Sequence, residues 1–302
     1  MPDQHRLLAS LLARCPQLRA DTSGVDTSGA GAAVVCAVSG GPDSMALLAL
    51  ATAAGRRVIA VHVDHGLREG SAEEAAVVAV AAERFGAQFR SERISVVPGP
   101  NQEARARAAR YAVLGPDALT GHTADDQAET MLLNLLRGAA LNGLSGMRPH
   151  RHPLLGLRRS ETHELCRLLD IATVDDPSNR SPVHLRNRVR AELLPLMEDL
   201  AQRDLVPLLA RQAELWRADA NLLDIAASAI DPTDAKALAA APPPLARRAI
   251  RSWLTREHPP DLATVERVLA VARGEVAACE TNDGRRISRH HQQLSLDGPP
   301  PR

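Results

Sequence analysis

The run Ser39-Gly40-Gly41-Pro42-Asp43-Ser44 separates an apolar stretch, Ala32 to Val38, from a helix-like stretch, Met45 to Ala54, and it constrains the fold more than any other segment. Gly40 and Gly41 reach backbone angles closed to other residues and let a ligand approach the main chain. Pro42 and Asp43 suit a first helical turn, whose unpaired N–H groups and positive dipole end favour an anion. Ser39 and Ser44 add hydroxyl donors. A glycine pair alone marks only the end of a strand, but with both serines, the aspartate and the strand-turn-helix context the block reads as a phosphate-binding turn. Asp43 beside bound phosphate is repulsive unless a cation intervenes, which implies Mg²⁺ there.

A Walker-type loop ends in Gly-Lys-Ser/Thr, and no such ending is present. Lys236 is the only lysine in the chain and lies far from the turn, which removes mechanisms in which an enzyme lysine attacks a nucleotide. The Ser-Gly-Gly-x-Asp-Ser form instead resembles the PP-loop of the N-type ATP pyrophosphatases. That resemblance implies ATP as the ligand. Ser39, Gly40, Gly41, Pro42, Asp43 and Ser44 would then hold its β- and γ-phosphates as it is split into AMP and pyrophosphate.

Gln4 to Arg19 carries apolar positions at helical spacing, and Asp21 to Gly31 is a Thr/Ser/Gly linker. Beyond the first strand, Arg57 to Asp64, Gln88 to Val96 and Ala118 to Gly121 read as strands. Ser71 to Phe85, Asn101 to Leu114 and Asp125 to Arg137 read as helices. Such alternation requires crossover connections, hence a mainly parallel sheet covered on both faces. The expected fold is doubly wound α/β, with its ligand at the carboxyl ends of the strands. Ser39 to Ser44, Asp64-His65 and His122 to Asp126 all follow strand ends, so they should converge on one rim. After Pro149 the pattern turns to helices and loops, with a Pro-rich break at Ala241 to Pro244 and an alternating segment, Arg285 to Leu296, that reads as a strand pair. The expected division is a helix and linker over 1–31, a catalytic domain over 32–210 and a smaller helical or α+β module over 211–302.

A chain of 302 residues supports one large domain and a smaller one. Aromatics are only 2% of it, against 45% apolar residues, so Ala, Leu and Val must fill the core. Phe85, Phe89, Tyr111, Trp216 and Trp253 are the only rings, a poor basis for recognising bases by aromatic stacking. Formal charge is zero, so any nucleic-acid contact must be local. Arginines cluster at 105, 107 and 110, at 186, 188 and 190, at 247, 248 and 251, and at 285, 286 and 289; each cluster alone reads first as a solvated face, and the four together point only modestly to a polyanion partner. Cys15, Cys36, Cys166 and Cys279 are scattered, with no Cys-x-x-Cys pair, and read as free thiols in a reducing compartment. No apolar stretch is long enough to span a bilayer and no signal core opens the chain, so a cytoplasmic protein without membrane partners is expected.

The run Gly121-His122-Thr123-Ala124-Asp125-Asp126-Gln127-Ala128-Glu129-Thr130 places Asp125 and Asp126 four and three residues before Glu129, so these carboxylates share one helix face. One acid at a helix start is usually a cap. Three beside a histidine at a strand end suggest a functional site.

Taken in order, several further runs extend this pattern. They are Val63-Asp64-His65-Gly66-Leu67-Arg68, Asn101-Gln102-Glu103-Ala104-Arg105-Ala106-Arg107 continuing to Arg110-Tyr111, Leu136-Arg137-Gly138, Gly143-Leu144-Ser145-Gly146-Met147, Pro153-Leu154-Leu155, and Asp176-Pro177-Ser178-Asn179 followed by Arg186-Asn187. With the two motifs above, this series resembles the tRNA(Ile)-lysidine synthetase family over residues 30 to 200. Ala140, Asn142, His152 and Leu185 depart from the residues usual there. The resemblance implies a HUP-like catalytic domain with one C-terminal, tRNA-contacting appendage. The implied reaction is ATP-dependent ligation of free L-lysine to carbon 2 of the wobble cytidine in a CAU-anticodon isoleucine tRNA. The cytidine carbonyl oxygen attacks the α-phosphate, and lysine then displaces AMP, which switches decoding from AUG to AUA. Presenting the amine neutral costs roughly 4 to 5 kcal/mol near neutral pH, so a base or a desolvated pocket is needed.

The resemblance also implies roles. Asp43, Asp125, Asp126, Arg107 and His122 are expected to be catalytic, with Arg107 neutralising charge on the phosphates. Asp64 and His65 are expected beside the nucleotide. Asp126, Glu129, Arg137 and Arg186 are expected to bind substrate, and Asp43 and Asp125 to hold Mg²⁺. The partners are tRNA and lysine, and a homodimer is compatible with this reading. Two alternatives stand beside it. A thiolation-type PP-loop ligase would need sulfur or cluster ligands that the cysteine spacing does not supply. A non-catalytic nucleotide- or RNA-binding module would have no use for clustered carboxylates near a phosphate loop.

Overall fold

The computed structural model describes residues 2–19, 33–64, 71–94, 102–175, 183–256 and 259–298. Two compact units divide it, Met1–Glu214 and Leu215–Arg302.

In the first unit, β1 (Val34–Ala37), β2 (Val58–Asp64), β3 (Gln88–Arg93) and β4 (Leu119–Thr120) form one parallel sheet in the order β3-β2-β1-β4. Val34 pairs with Val58, Cys36 with Leu119 and Ile59 with Gln88. Strand alternation then divides the apolar residues between the two faces. Cys36, Val38, Val58 and Ala60 join the core built with α1 (Pro2–Ala13), α2 (Pro42–Ala53), α3 (Ser71–Arg84) and α7 (Arg159–Leu168). Val35, Ala37, Ile59, Val61 and Val63 pack on the opposite face with Leu114 of α4 (Gln102–Leu114). The sheet is therefore covered on both sides, as the alternation of strands and helices requires. Helix α2 is apolar nearly all round and is buried from Ser44 to Ala51, as a central core helix must be.

The first helix is shorter than its apolar spacing suggests. It stops at Ala13, and Pro16, which lacks an N–H, opens a separate 3₁₀ turn to Leu18. The expected strand at Ala118 to Gly121 contracts to two paired residues. Beyond it, α5 (Ala124–Leu136) packs Leu132 and Leu133 against Val189, Leu194 and Val206. Those residues come from a π-helical turn (Val189–Leu193), α9 (Leu194–Ala201) and the start of α10 (Val206–Ser228), which follow α6 (Leu141–Leu144) and α8 (Leu185–Arg188).

The second unit combines α11 (Ala235–Ala240), α12 (Pro243–Leu254) and α13 (Leu262–Arg273) with an antiparallel sheet, β5 (Ala278–Glu280), β6 (Arg286–His290) and β7 (Gln293–Asp297). Ile250, Val268, Leu269, Ile287 and Leu294 share its core. The strand pair over Arg285 to Leu296 is present, and β5 adds a third strand whose three residues are too few to show an alternation. The Pro-rich break separates α11 from α12. Arginines of the two C-terminal clusters are engaged within this unit: Arg247 with Glu266 at 2.5 Å, Arg248 with Asp224, and Arg285 with Asp283 at 2.6 Å.

One close approach positions the site. A Cβ added to Gly121 would lie 2.6 Å from the Asp43 carbonyl oxygen and 2.8 Å from Ser44 N, so the chain leaving β4 rests directly on the first turn of α2. Gly121→Ala should therefore cost about 1–3 kcal/mol in urea denaturation and weaken ATP binding. Gly55→Ala, at φ +77° with nothing within 4 Å, should cost only the backbone strain of about 1 kcal/mol and leave ATP binding intact.

Candidate active site

The glycine turn after β1 is closed by its own serines. Ser39 N donates to Ser44 Oγ at 3.1 Å, Ser44 Oγ donates to the Gly41 carbonyl at 2.8 Å, and the two hydroxyls lie 3.2 Å apart. Gly40 has φ +90°, and a Cβ there would meet Val174 Cγ2 at 2.9 Å, so only glycine fits. Gly41 caps α2, Pro42 opens it and Asp43 stands in its first turn. This is the strand-turn-helix arrangement expected from the sequence, and N–H groups at such a helix start favour an anion.

Asp43 is held from the side by α7. Thr162 Oγ1 donates to Asp43 Oδ1, and Arg159 Nε lies 3.6 Å from Asp43 Oδ2. Burial pushes the Asp43 carboxyl up, and the Thr162 hydroxyl only partly opposes it; the nearby Asp126 pushes it up further. A cation would relieve that cost, so Asp43 fits a metal-bound phosphate site. Among the described residues no group of three or more His, Cys, Asp or Glu is arranged to hold a metal. Such an ion would therefore depend on Asp43 together with phosphate oxygens and water, a usual arrangement for Mg²⁺. Both Asp125 oxygens are engaged elsewhere: Arg158 Nη2 donates to Oδ1, and Arg158 Nε and Arg159 N donate to Oδ2 at 3.2 and 2.7 Å.

Asp126 and Glu129 are the most enclosed carboxylates of the cleft. Asp126 accepts from Thr123 N at 2.9 Å and Thr123 Oγ1 at 3.0 Å, which ties it to the start of α5. It also accepts from Arg159 Nη2 and Arg186 Nη2, each at 3.0 Å. Glu129, only 1% exposed, accepts from Arg159 at 3.1 Å, Arg186 at 2.8 Å and Arg190 at 2.6 Å. Burial alone would raise the Asp126 carboxyl, but Arg159 and Arg186, with smaller help from His122 and the Thr123 N–H, hold it at about 2. The acids that the sequence marks as a functional site are thus already paired with guanidinium groups.

His122 sits beside a second imidazole. Thr120 Oγ1 lies 2.7 Å from His122 Nδ1 and 2.5 Å from His152 Nδ1, and the two Nδ1 atoms are 3.1 Å apart. Two lone pairs do not face each other at that distance, so at least one Nδ1 carries a proton. Gln127 anchors the Gly143 to Met147 run, donating to the Ser145 carbonyl at 3.1 Å and accepting from Met147 N at 2.8 Å.

Other expected residues stand apart. Asp64 ends β2 and lies 3.7 Å from Arg93 Nε. Arg137 is exposed at the C-terminal end of α5, about 16 Å along the helix from Asp126 at 1.5 Å per residue, so it is not gathered into the cluster. His65, the Arg107 side chain and the Asp176 to Asn179 run lie outside the described residues. Arg158, Arg159, Thr162 and Arg190 join the site without having been singled out individually. Only Arg190 carried a signal, its place in an arginine cluster.

Three outcomes follow from these environments. Glu129→Ala strands guanidinium groups that remain about one-third exposed, so it should destabilise the protein by about 2–4 kcal/mol in chemical denaturation. The native Asp126 value lies below its ordinary 3.8, so its contribution of about 2 kcal/mol is present above pH 3.8 and is lost as pH falls toward 2; Asp126→Asn should flatten the acid limb of the stability curve there. Asp43 has the opposite sign. Its native value is raised, so the wild type loses stability as pH rises from 3.8 through that value, and Asp43→Asn should melt higher than wild type at neutral pH without ligand.

A family model described as a PP-loop domain matches residues 18–197. A tRNA(Ile)-lysidine synthase of Nocardia farcinica is 43% identical over 243 residues, spanning 75% of this chain and 76% of the relative. One from Mycobacterium leprae is 40% identical over 289 residues, spanning 86% and 89%. Among solved structures, the U34-tRNA thiolase NcsA from Methanococcus maripaludis, with its [4Fe-4S] cluster, superposes with a TM-score of 0.56 at 18% identity, covering 71% of this chain and 80% of that one; this likeness is one of fold. The glycine cradle, the acid-bearing helix beside it and relatives matched along most of their length agree: the chain belongs to the tRNA(Ile)-lysidine synthase family.

Proposed function

We propose that this protein uses ATP to join free L-lysine to carbon 2 of the wobble cytidine in a CAU-anticodon isoleucine tRNA, with release of AMP and pyrophosphate. One observation carries the reading. Arg159 touches Asp43 of the phosphate turn and both Asp126 and Glu129, so cradle and acidic cluster share one cleft within the span of a single guanidinium. The turn at Ser39 to Ser44 holds the β- and γ-phosphates. Asp43 would hold Mg²⁺, which would supply charge neutralisation there when bound. The cytidine oxygen attacks the α-phosphate, and the lysine amine then attacks carbon 2 as AMP leaves.

Lysine arrives with two ammonium groups and one carboxylate, and the cleft suits its zwitterionic α-amino acid end. Its ammonium replaces a guanidinium on Asp126 or Glu129 while its carboxylate takes the arginine released, Arg186 or Arg190. Charges are exchanged without a new buried ion being left unpaired, which avoids the desolvation cost of a lone charge. Asp126, held at about 2, is a weak base and suits holding a charge. His122, beside Asp126 and braced by Thr120, is the group assigned to take the amine proton. Asp125 fixes Arg158 and the start of α7. Arg107 and Arg137 are assigned to the RNA and nucleotide phosphates.

The thiolation alternative is disfavoured by the thiols themselves. Cys15, Cys36 and Cys166 are buried in the core, and burial pushes each up to about 12. Incubation with ATP, labelled lysine and CAU-anticodon isoleucine tRNA should label that tRNA and spare elongator methionine tRNA. Asp43→Ala and Asp126→Ala should stay folded by circular dichroism and transfer no lysine. Turnover like wild type in both would defeat the site assignment, and sulfur-dependent AMP release without lysine transfer would defeat the reaction.

A further inference from the structure

Beyond the cleft, two arginines around one aromatic ring have buried donors with no acceptor among the described residues. Arg151 lies with its Cζ 4.6 Å from the Tyr111 ring centroid, and Arg110 Cζ lies 5.5 Å from the same ring. Arg151 Nε and Nη2 and Arg110 Nε are buried atoms without a hydrogen-bond partner among the described residues. Nε and Nη2 form one edge of the guanidinium, the pair of parallel N–H bonds that matches two oxygens of a carboxylate or phosphate. Buried donors are nearly always satisfied, so an unmatched fork edge indicates an absent acceptor.

The placement argues for what that acceptor is. The Arg151 main chain is fixed on the edge strand, since Thr120 N donates to the Arg151 carbonyl at 2.9 Å. Arg110 and Tyr111 belong to α4, whose Leu114 packs on the sheet face opposite α2. The phosphate turn lies at the carboxyl end of β1, whereas Arg110 stands about 12 Å along α4 from Gln102 at 1.5 Å per residue, on the face of the sheet opposite α2. A ligand that extends past the edge strand can bring an anion to Arg110 and Arg151. We propose that Arg110 and Arg151, braced by Tyr111, bind a backbone phosphodiester of the RNA substrate. The inference rests on the tRNA reading above and adds a positioning contact outside the reaction centre.

Arg110→Gln and Arg151→Gln should each weaken tRNA binding about tenfold at 0.15 M salt, leave ATP affinity unchanged, and lower the slope of log affinity against log salt by about 1. Arg151→Lys keeps the charge and loses the fork, so it should retain the salt slope while binding more weakly; it also serves as the folded control if Arg151→Gln does not fold. Unchanged tRNA affinity and slope in both glutamine variants, or a change confined to ATP affinity, would overturn the proposal. Wild-type lysine transfer measured alongside separates the two readings. Transfer in the wild type with no effect in the variants sinks only this contact, whereas no transfer and no tRNA binding in the wild type sinks both.

Discussion

A single guanidinium is the joint of the active site. Arg159 reaches Asp43 with Nε and both Asp126 and Glu129 with Nη2, so it links the turn after β1 to the helix after β4. Without it, carboxylates from two motifs would face one another in a half-dry cleft with too little compensating charge. Helix α7 brings it there. Leu165 and Cys166 of that helix sit in the core beside α2, and Thr162 braces Asp43. The geometry of the candidate site therefore depends on how α7 packs as much as on the two motifs that announce it.

That dependence changes how the acids are understood. Clustered carboxylates suggest a negative pocket waiting for a cation, yet Asp125, Asp126 and Glu129 are met by Arg158, Arg159, Arg186 and Arg190. The cleft is an ion-pair lattice of near-balanced charge. Under the proposed function a ligand enters it by exchange, which favours a molecule carrying both signs over one carrying a single charge. Selection then comes from matching the spacing of charges, because net attraction is small.

Much of this was legible in the chain. The turn Ser39 to Ser44 announces itself because glycine, proline and a capping acid each have a distinct backbone reason to be there. The parallel sheet follows from the alternation of strands with helices. Of the cations, Arg186 and Arg190 stood in a motif or an arginine cluster, but Arg158 and Arg159 were not legible. Both stand at a helix start, where the dipole disfavours positive charge, and their carboxylate partners in the site lie thirty or more residues away, so no local pattern links them. His152 drew notice only as a departure from the family, and its pairing with Thr120 and His122 depends on how the chain after α6 returns to the edge strand. Long-range charge pairing leaves no period in a sequence, whereas backbone geometry and burial do.

The two borders of the sheet differ in how they end. On one side β4 offers only Leu119 and Thr120, both buried. On the other, β3 is mostly exposed but carries charge along its length, with Arg90 at 3.1 Å from Glu92 and Arg93 near Asp64. One border is too short and the other too polar to serve as a template for a strand from another molecule. The ATP-binding unit can thus hold an open sheet at high concentration without recruiting its neighbours into fibrils.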